Sequence, residues 1–171
     1  MEEDIDRDPQ YGHMSDIAIQ LHTDLPAARA IDPIMTVMNS AFDPLFGEAW
    51  NRRQTYAMLN LPFCRSILAM VDGSNPAGFA MSRRVSDEEE LLLIAVRPEL
   101  RQGGVGHKIM SHVLKSASDD GIANIYLEVR SNNPAIQFYS RFGFGQIGLR
   151  SNYYVGADGQ SYDALTYTRK L

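Results

Sequence analysis

The order of elements along this chain predicts a mixed α/β domain, a sheet of about seven strands with helices on its faces. Three observations carry that expectation. Strand-like and helical segments follow one another as β-α-α-β-β-β-α-β-α-β-β, the order of a layered sheet rather than of a helix bundle. A strong turn signal, Asp72-Gly73-Ser74-Asn75-Pro76, joins two strand-like runs into a hairpin. An apolar run, residues 91–96, breaks into a glycine-rich turn and then into a segment with helical periodicity. At 171 residues one domain with its own core is expected.

Each element has a local reason. Ile17-Ala18-Ile19-Gln20-Leu21-His22 reads as the first strand, closed by Thr23-Asp24-Leu25-Pro26. A helix over 28–41 follows, interrupted near its start by Asp32-Pro33, where proline removes a donor. Asp43-Pro44-Leu45-Phe46-Gly47 is a loop, and 50–59 is a short second helix stopping before Pro62. Strands over 65–71 and 77–84 flank the hairpin turn, and 90–96 is the next strand, ended by Pro98. The helix over 104–119 places Val105, Ile109, Val113, Leu114 and Ala117 on one face, and Gly121 is placed to end it. A strand over 123–129, a short helix over 134–142 with Pro at its start and Gly143 after it, and strands over 144–149 and 162–169 complete the order.

Composition removes several function classes. The net charge is −5, and the first 14 residues carry Glu2, Glu3, Asp4, Asp6 and Asp8 against Arg7. That segment reads as an acidic, mobile tail ahead of a single domain over 15–171. No basic field exists to drive counterion release, so nucleic-acid binding is not expected. No apolar run approaches the roughly 20 residues of a membrane span, and the acidic N-terminal stretch lacks a basic n-region and an apolar h-region, so secretion is not expected. A lone cysteine, Cys64, excludes an internal disulfide and fits a reducing, cytoplasmic compartment. No metal is expected: His107 and His112 are five apart and miss a shared helical face, while His13 and His22 have no ligand cluster beside them.

The glycine-rich turn holds the strongest chemistry. Arg101-Gln102-Gly103-Gly104-Val105-Gly106 joins a strand to a helix, so main-chain N–H groups and the positive end of the helix dipole face one point. Glycine there lets a phosphate approach the backbone. A nucleotide-triphosphate loop would need Gly-Lys-Ser/Thr, but His107 separates Gly106 from Lys108. A dinucleotide fingerprint would need a third glycine where Ile109 stands. What remains, Arg101-x-x-Gly104-x-Gly106 after a strand, resembles the acetyl-CoA pyrophosphate loop of the GNAT acyltransferase superfamily. That resemblance, which extends over roughly residues 16–171, implies a mostly antiparallel sheet whose fourth and fifth strands splay apart to admit the cofactor's pantetheine arm.

Downstream, strand alternation over Ile125-Tyr126-Leu127-Glu128-Val129-Arg130 sends Glu128 and Arg130 to the same side. A carboxylate in a central strand needs a partner, Arg130 or another cation, or a catalytic use. Leu127-Glu128-Val129-Arg130, Asn132, Phe138-Tyr139, Gly143-Phe144 and Arg150-x-Asn152-Tyr153-Tyr154 together resemble the RimI branch of GNATs, the ribosomal-protein-alanine N-acetyltransferases. The resemblance implies Glu128 as general base and Tyr139 as general acid. It implies acetyl-CoA held by Gln102, Gly103, Gly104, Val105, Gly106, Arg101 and Asn132, with Ile94 and Val96 pairing with the pantetheine and the Val96 N–H facing the oxyanion. Lys108 is a further charge near the phosphates or a solvated helix residue. Tyr153 and Tyr154 are expected to line the acceptor groove or to pack at a strand edge, and Glu90 is the alternative base.

The sequence departs from that branch in places. The connection from Arg130 to Tyr139 is about one residue short, and residues 42–50 match its Trp-containing loop only loosely. The implied activity is acetyl transfer from acetyl-CoA to a primary amine, foremost the N-terminal α-amine of a protein or peptide. A small-molecule amine or a lysine side chain is the alternative acceptor, and a non-catalytic acetyl-CoA sensor is the alternative of another class.

Overall fold

The computed structural model describes residues 18–171; the acidic tail, His13 and Ile17 lie outside the described residues. In chain order the elements are β1 (Ile19–Thr23), α1 (Ala27–Ala41), a 3-10 turn at Pro44–Phe46, α2 (Arg52–Leu59), β2 (Cys64–Val71), β3 (Asn75–Val85) and β4 (Glu88–Val96). A second 3-10 turn at Pro98–Leu100 leads to α3 (Val105–Asp119), β5 (Asn124–Arg130), α4 (Ala135–Arg141), β6 (Gly145–Val155) and β7 (Ser161–Lys170). The seven strands form one sheet in the order β1-β2-β3-β4-β5-β7-β6. Only β4 and β5 pair in parallel.

Two apolar layers sandwich the sheet. On one face α1 packs Ala30, Ile34, Val37 and Met38 against Leu68, Phe79, Met81 and Ala95. On the other, α3 packs Ile109, Met110 and Val113 against Ile67, Leu91, Ile125 and Leu127, and Tyr139 of α4 joins this layer. The helix 28–41 is not interrupted: Pro33 sits inside α1. Proline costs a helix about 3 kcal/mol, but burying each of Ile31, Ile34, Val37 and Met38 returns about 1.5–3 kcal/mol, so packing wins. The last hairpin also differs from expectation. β6 continues past Leu149 to Val155 through a bulge at 151–153, held where Asn152 N–H donates to Asp163 Oδ1 at 2.8 Å.

β4 carries the feature that positions the site. Its register with β3 slips between Met81 and Ser82, which face Leu93 and Leu91, so Leu92 has no partner on β3. This bulge reverses the strand's alternation. Leu91 joins the α3 layer, Leu93 and Ala95 join the α1 layer, and Ile94 and Val96 return to the α3 layer. The strand therefore reads as an unbroken apolar run, Leu91-Leu92-Leu93-Ile94-Ala95-Val96, where strict alternation would leave polar gaps. Parallel pairing with β5 ends at Leu91 and Leu127, and beyond that pair the two strands part.

Candidate active site

The gap between β4 and β5 opens into a groove of about 1190 Å³. On its β4 side, the Arg97 N–H donates to the Ala77 carbonyl at 2.9 Å, making Arg97 and Ala77 a hydrogen-bonded pair. Antiparallel pairs alternate, so Ala95 also faces β3, while the amides and carbonyls of Ile94 and Val96 point the other way, into the gap. That edge offers a peptide-like arm the pairing that β5 no longer supplies. Glycine makes it possible for this edge to lie so close to β3. A Cβ at Gly78, opposite Val96, would meet the Ala95 carbonyl oxygen at 2.8 Å.

The groove then meets the turn ahead of α3. Gln102 (φ 64°) and Gly104 (φ 81°) are both left-handed, a backbone arrangement that points successive N–H groups into a shallow concavity for an anion. The first bond within α3 runs from Lys108 N–H to the Gly104 carbonyl at 2.9 Å, so the N–H groups of Val105, Gly106 and His107 precede it and point out of the helix end. Arg101 braces the turn. Its Nε donates to the Val96 carbonyl at 3.2 Å and its Nη2 to the Ala41 carbonyl at 3.1 Å. Gly106 lies beneath Phe138, and His107 packs on Phe142 with ring centroids 5.1 Å apart.

Opposite, β5 presents Glu128 and Arg130 on the α1–α2 side of the sheet. Glu128 pairs with Arg150 of β6 rather than with Arg130, and its other oxygen faces the Tyr154 hydroxyl at 3.5 Å. Arg130 is buried and pairs with Glu48, Nε to Oε1 at 3.2 Å and Nη2 to Oε2 at 3.4 Å. Tyr139 comes from α4, on the sheet's far face, and reaches the groove through the gap. Burial, and then the charge of Glu48, push its phenol well above the usual tyrosine range. Tyr154 is pushed up to about 12 by burial first and by Glu128 and Glu48 next. Both phenols thus hold their protons at neutral pH.

The groove brings together Ile94, Val96, Arg101, Gln102, Gly104, Gly106, Glu128, Tyr139 and Tyr154. Other expected residues stand outside its lining. Val105 buries its side chain in the core and can offer only its main chain. Asn132 Oδ1 accepts from Arg130 Nη1, and Asn133 lines the groove in its place. Tyr153 is exposed and stacks under Arg150, 3.8 Å from ring centroid to guanidinium carbon. Lys108 turns away to the Ile19 carbonyl, and Glu90 pairs with Arg83 where β4 is still joined to its neighbours.

A match to the acetyltransferase (GNAT) family model covers residues 35–144. The chain belongs to the GNAT family. The [ribosomal protein bS18]-alanine N-acetyltransferase of Salmonella typhimurium strain LT2 is 32% identical over 153 residues, 89% of this chain and 95% of that protein. The crystal structure of the ribosomal-protein-S18-alanine N-acetyltransferase from Escherichia coli superposes with a TM-score of 0.74 at 26% identity, covering 90% of this chain and 94% of that one. The fold is shared with Ard1 from Thermoplasma volcanium, TM-score 0.75 at 23% identity over 90% of this chain and 98% of that one. This GNAT is therefore a RimI-like N-acetyltransferase, and the splayed mixed sheet is the fold expected of it.

Sequence reasoning passed over Glu48 and Phe46 with Trp50 in this GNAT's groove, and it gave Arg150 no pairing with Glu128. All but Arg150 lie in the 42–50 segment, where local patterning gives only a loop. The one available signal was the charge of Glu48 among apolar neighbours in Phe46-Gly47-Glu48-Ala49-Trp50. Among the described residues no group of three or more His, Cys, Asp or Glu is arranged to hold a metal ion.

Proposed function

We propose that this N-acetyltransferase moves the acetyl group of acetyl-CoA to the N-terminal α-amine of a protein or peptide, as the names of its RimI-like relatives describe for an alanine of a ribosomal protein. The observation that carries the reading is the β4–β5 gap. It sets outward-facing Ile94 and Val96 amides beside the backbone concavity at Gln102–Gly104 at one end and a carboxylate, Glu128, at the other. In this reading Gln102, Gly103, Gly104, Val105 and Gly106 hold the pyrophosphate through main-chain N–H groups, and Ile94 and Val96 pair with the pantetheine. Arg101 acts by bracing the turn.

Glu128 is the proposed general base. A free α-amine has a pKa of about 7.7–8.0, so much of it arrives as ammonium at neutral pH and must give up a proton first. The ammonium displaces the half-exposed Arg150 from Glu128 and passes that proton to the carboxylate. Glu128 passes that proton on to solvent, the amine attacks the thioester carbonyl while the Val96 N–H meets the developing oxyanion, and Glu128 takes the second nitrogen proton as the adduct collapses to the amide. When the carbon–sulfur bond breaks, Tyr139 faces the sulfur. A thiol titrates near 8.5 and Tyr139 lies far above it, so the phenol stabilises the departing thiolate by donating a hydrogen bond, without full transfer. Holding amine and thioester together supplies the larger share, roughly 7–11 kcal/mol.

The test is mass spectrometry of a pool of peptides, polyamines and amino sugars after incubation with enzyme and isotopically labelled acetyl-CoA. Label on peptide N-termini, with Ala first among them, is the expected result. Label confined to lysine side chains or small amines would overturn the acceptor, and acetyl-CoA binding with no transfer at all would make the protein a sensor.

A further inference from the structure

The segment joining α1 to α2 forms one wall of the groove's acceptor half, through Phe46, Glu48 and Trp50. Its two ends have their own anchors. Asp43 Oδ1 accepts from the Leu45 N–H at 2.9 Å, and Asn51 and Gln54 close a reciprocal capping box at the start of α2. Between those anchors Gly47 turns left-handed (φ 60°), and the only charged side chain is Glu48. Glu48 reaches across to Arg130 at the end of β5, 82 residues on. The guanidinium carbon of Arg130 lies over the Phe46 ring, 3.3 Å from its centroid, with the Tyr162 ring of β7 at 5.5 Å. The Ala157 N–H donates to the Leu45 carbonyl at 2.8 Å and ties the same segment to the β6–β7 turn.

A buried guanidinium needs its carboxylate, and this carboxylate sits on a loop with no other charged group to place it. The loop is held where Arg130 holds Glu48. Glu128 stands two residues before Arg130 on the same side of β5, so the wall's position is indexed to the candidate base itself. Glu48, Tyr139 and Tyr154 all line the groove. The cofactor half is built from β4, α3 and the turn between them, and neither Glu48 nor Arg130 has a hydrogen bond or ion pair to those elements among the described residues.

We propose that Arg130 and Glu48 form a clamp that positions the Phe46–Trp50 wall over the acceptor half of the groove and so determines which acceptor amines dock productively. Both are positioning residues: they act through the wall, and acetyl-CoA is held without them. The inference rests on the acceptor half assigned under Proposed function, and its test separates the two.

Trp50 is the chain's single tryptophan and stands on the wall, half-buried, so its emission reports the wall with no acceptor present. Glu48→Gln is expected to red-shift that emission and raise its quenching by acrylamide. It should raise the acceptor KM by at least about tenfold, the factor for a lost charged hydrogen bond, with acetyl-CoA affinity and kcat close to wild type. Glu48→Asp should recover part of the loss. Unchanged Trp50 emission and acceptor KM would overturn the clamp, as would an equal loss of acetyl-CoA affinity. Should Glu48→Gln fail to fold, Phe46→Leu keeps both charges and removes only the ring under the guanidinium. It must then show the same split at about threefold, and an unchanged acceptor KM there overturns the proposal. A wild-type enzyme inactive on N-terminal peptides would retire the acceptor assignment, while the Trp50 measurement would still decide the clamp.

Discussion

Replacing Gly78 by alanine tests whether the groove depends on how closely β3 approaches β4 and α3. The new Cβ would lie 2.8 Å from the Ala95 carbonyl oxygen, 2.9 Å from Ile109 Cδ1 and 3.1 Å from Val105 Cγ1. The methyl of Ile109 ends a flexible side chain, but that side chain is fully buried and has little room to turn. The carbonyl belongs to β4 and can yield only if the strand moves. Overpacking of this kind costs about 1–3 kcal/mol, and alanine's advantage over glycine in a strand offsets about 0.5–1 kcal/mol of it. The net expectation is a loss of about 1–2 kcal/mol, a fall in Tm of roughly 2–8 °C for a chain of this length. The same three contacts hold the cofactor half. Ala95 lies between Ile94 and Val96, and Val105 begins α3 beside the left-handed turn. Acetyl-CoA affinity should therefore fall by about three- to tenfold, measured by titration calorimetry beside thermal melts. A variant at or above the wild-type Tm with unchanged acetyl-CoA affinity would refute the claim that Gly78 is required by this approach.

Further outcomes follow from other positions. Glu128→Gln should lower kcat by about 10²–10⁴ while calorimetric acetyl-CoA affinity stays near wild type, and a kcat within a few-fold of wild type would remove Glu128 as the base. Gly104→Ala should destabilise by about 1–2 kcal/mol in urea melts through its φ of 81° alone, since its Cβ would meet nothing within 4 Å. Gly106→Ala, inside a regular helix with ordinary contacts at 3.5–3.7 Å, should be neutral or stabilising, so equal losses at both sites would defeat the conformational argument. Tyr154 keeps its proton more firmly folded than unfolded, so its contribution to stability is whole below pH 10.0 and fades as pH rises to about 12. Tyr154→Phe should lessen the alkaline fall of the urea midpoint across that window, Tyr139 still contributing its share, and an identical fall in both proteins would show that Tyr154 titrates normally.

Most of the fold was legible because it rests on local rules. The Asp72-Gly73 turn has positive φ at both residues (50° and 75°), the conformation that asparagine, aspartate and glycine favour in tight hairpins. The face Val105, Ile109, Val113, Leu114 and Ala117 is the buried face of α3, joined only by Met110. The misreadings came where distant packing overrode a local signal. Pro33 reads as a break, yet α1 passes through it because the residues around it fill the layer under Phe79 and Met81. The Leu92 bulge left only an apolar run, and an apolar run does not say which residue lacks a partner. The second half of β6 was missed because the bulge at 151–153 disrupts the period of two on which a strand is recognised.

The site divides along the same line. In the proposed reading its cofactor half works through main chain: two left-handed residues, the first turn of α3 and the free edge of β4. Backbone chemistry of that kind leaves a sequence trace, because the conformations it needs restrict the residue type to glycine or a few others. Its acceptor half works through side chains that pair over long separations, Glu48 with Arg130 and Glu128 with Arg150. Arg130 stands two residues from Glu128 and alternation puts both on one side, so proximity in sequence suggests that they pair. The structure gives each a different partner, because the β6 hairpin brings Arg150 over Glu128 and the α1–α2 segment brings Glu48 over Arg130. A charge pattern fixes that partners exist and leaves open which they are. The acceptor half is accordingly where one GNAT can differ from another without changing its fold, since exchanging a paired side chain on either segment reshapes that wall and leaves the cofactor's backbone cradle intact.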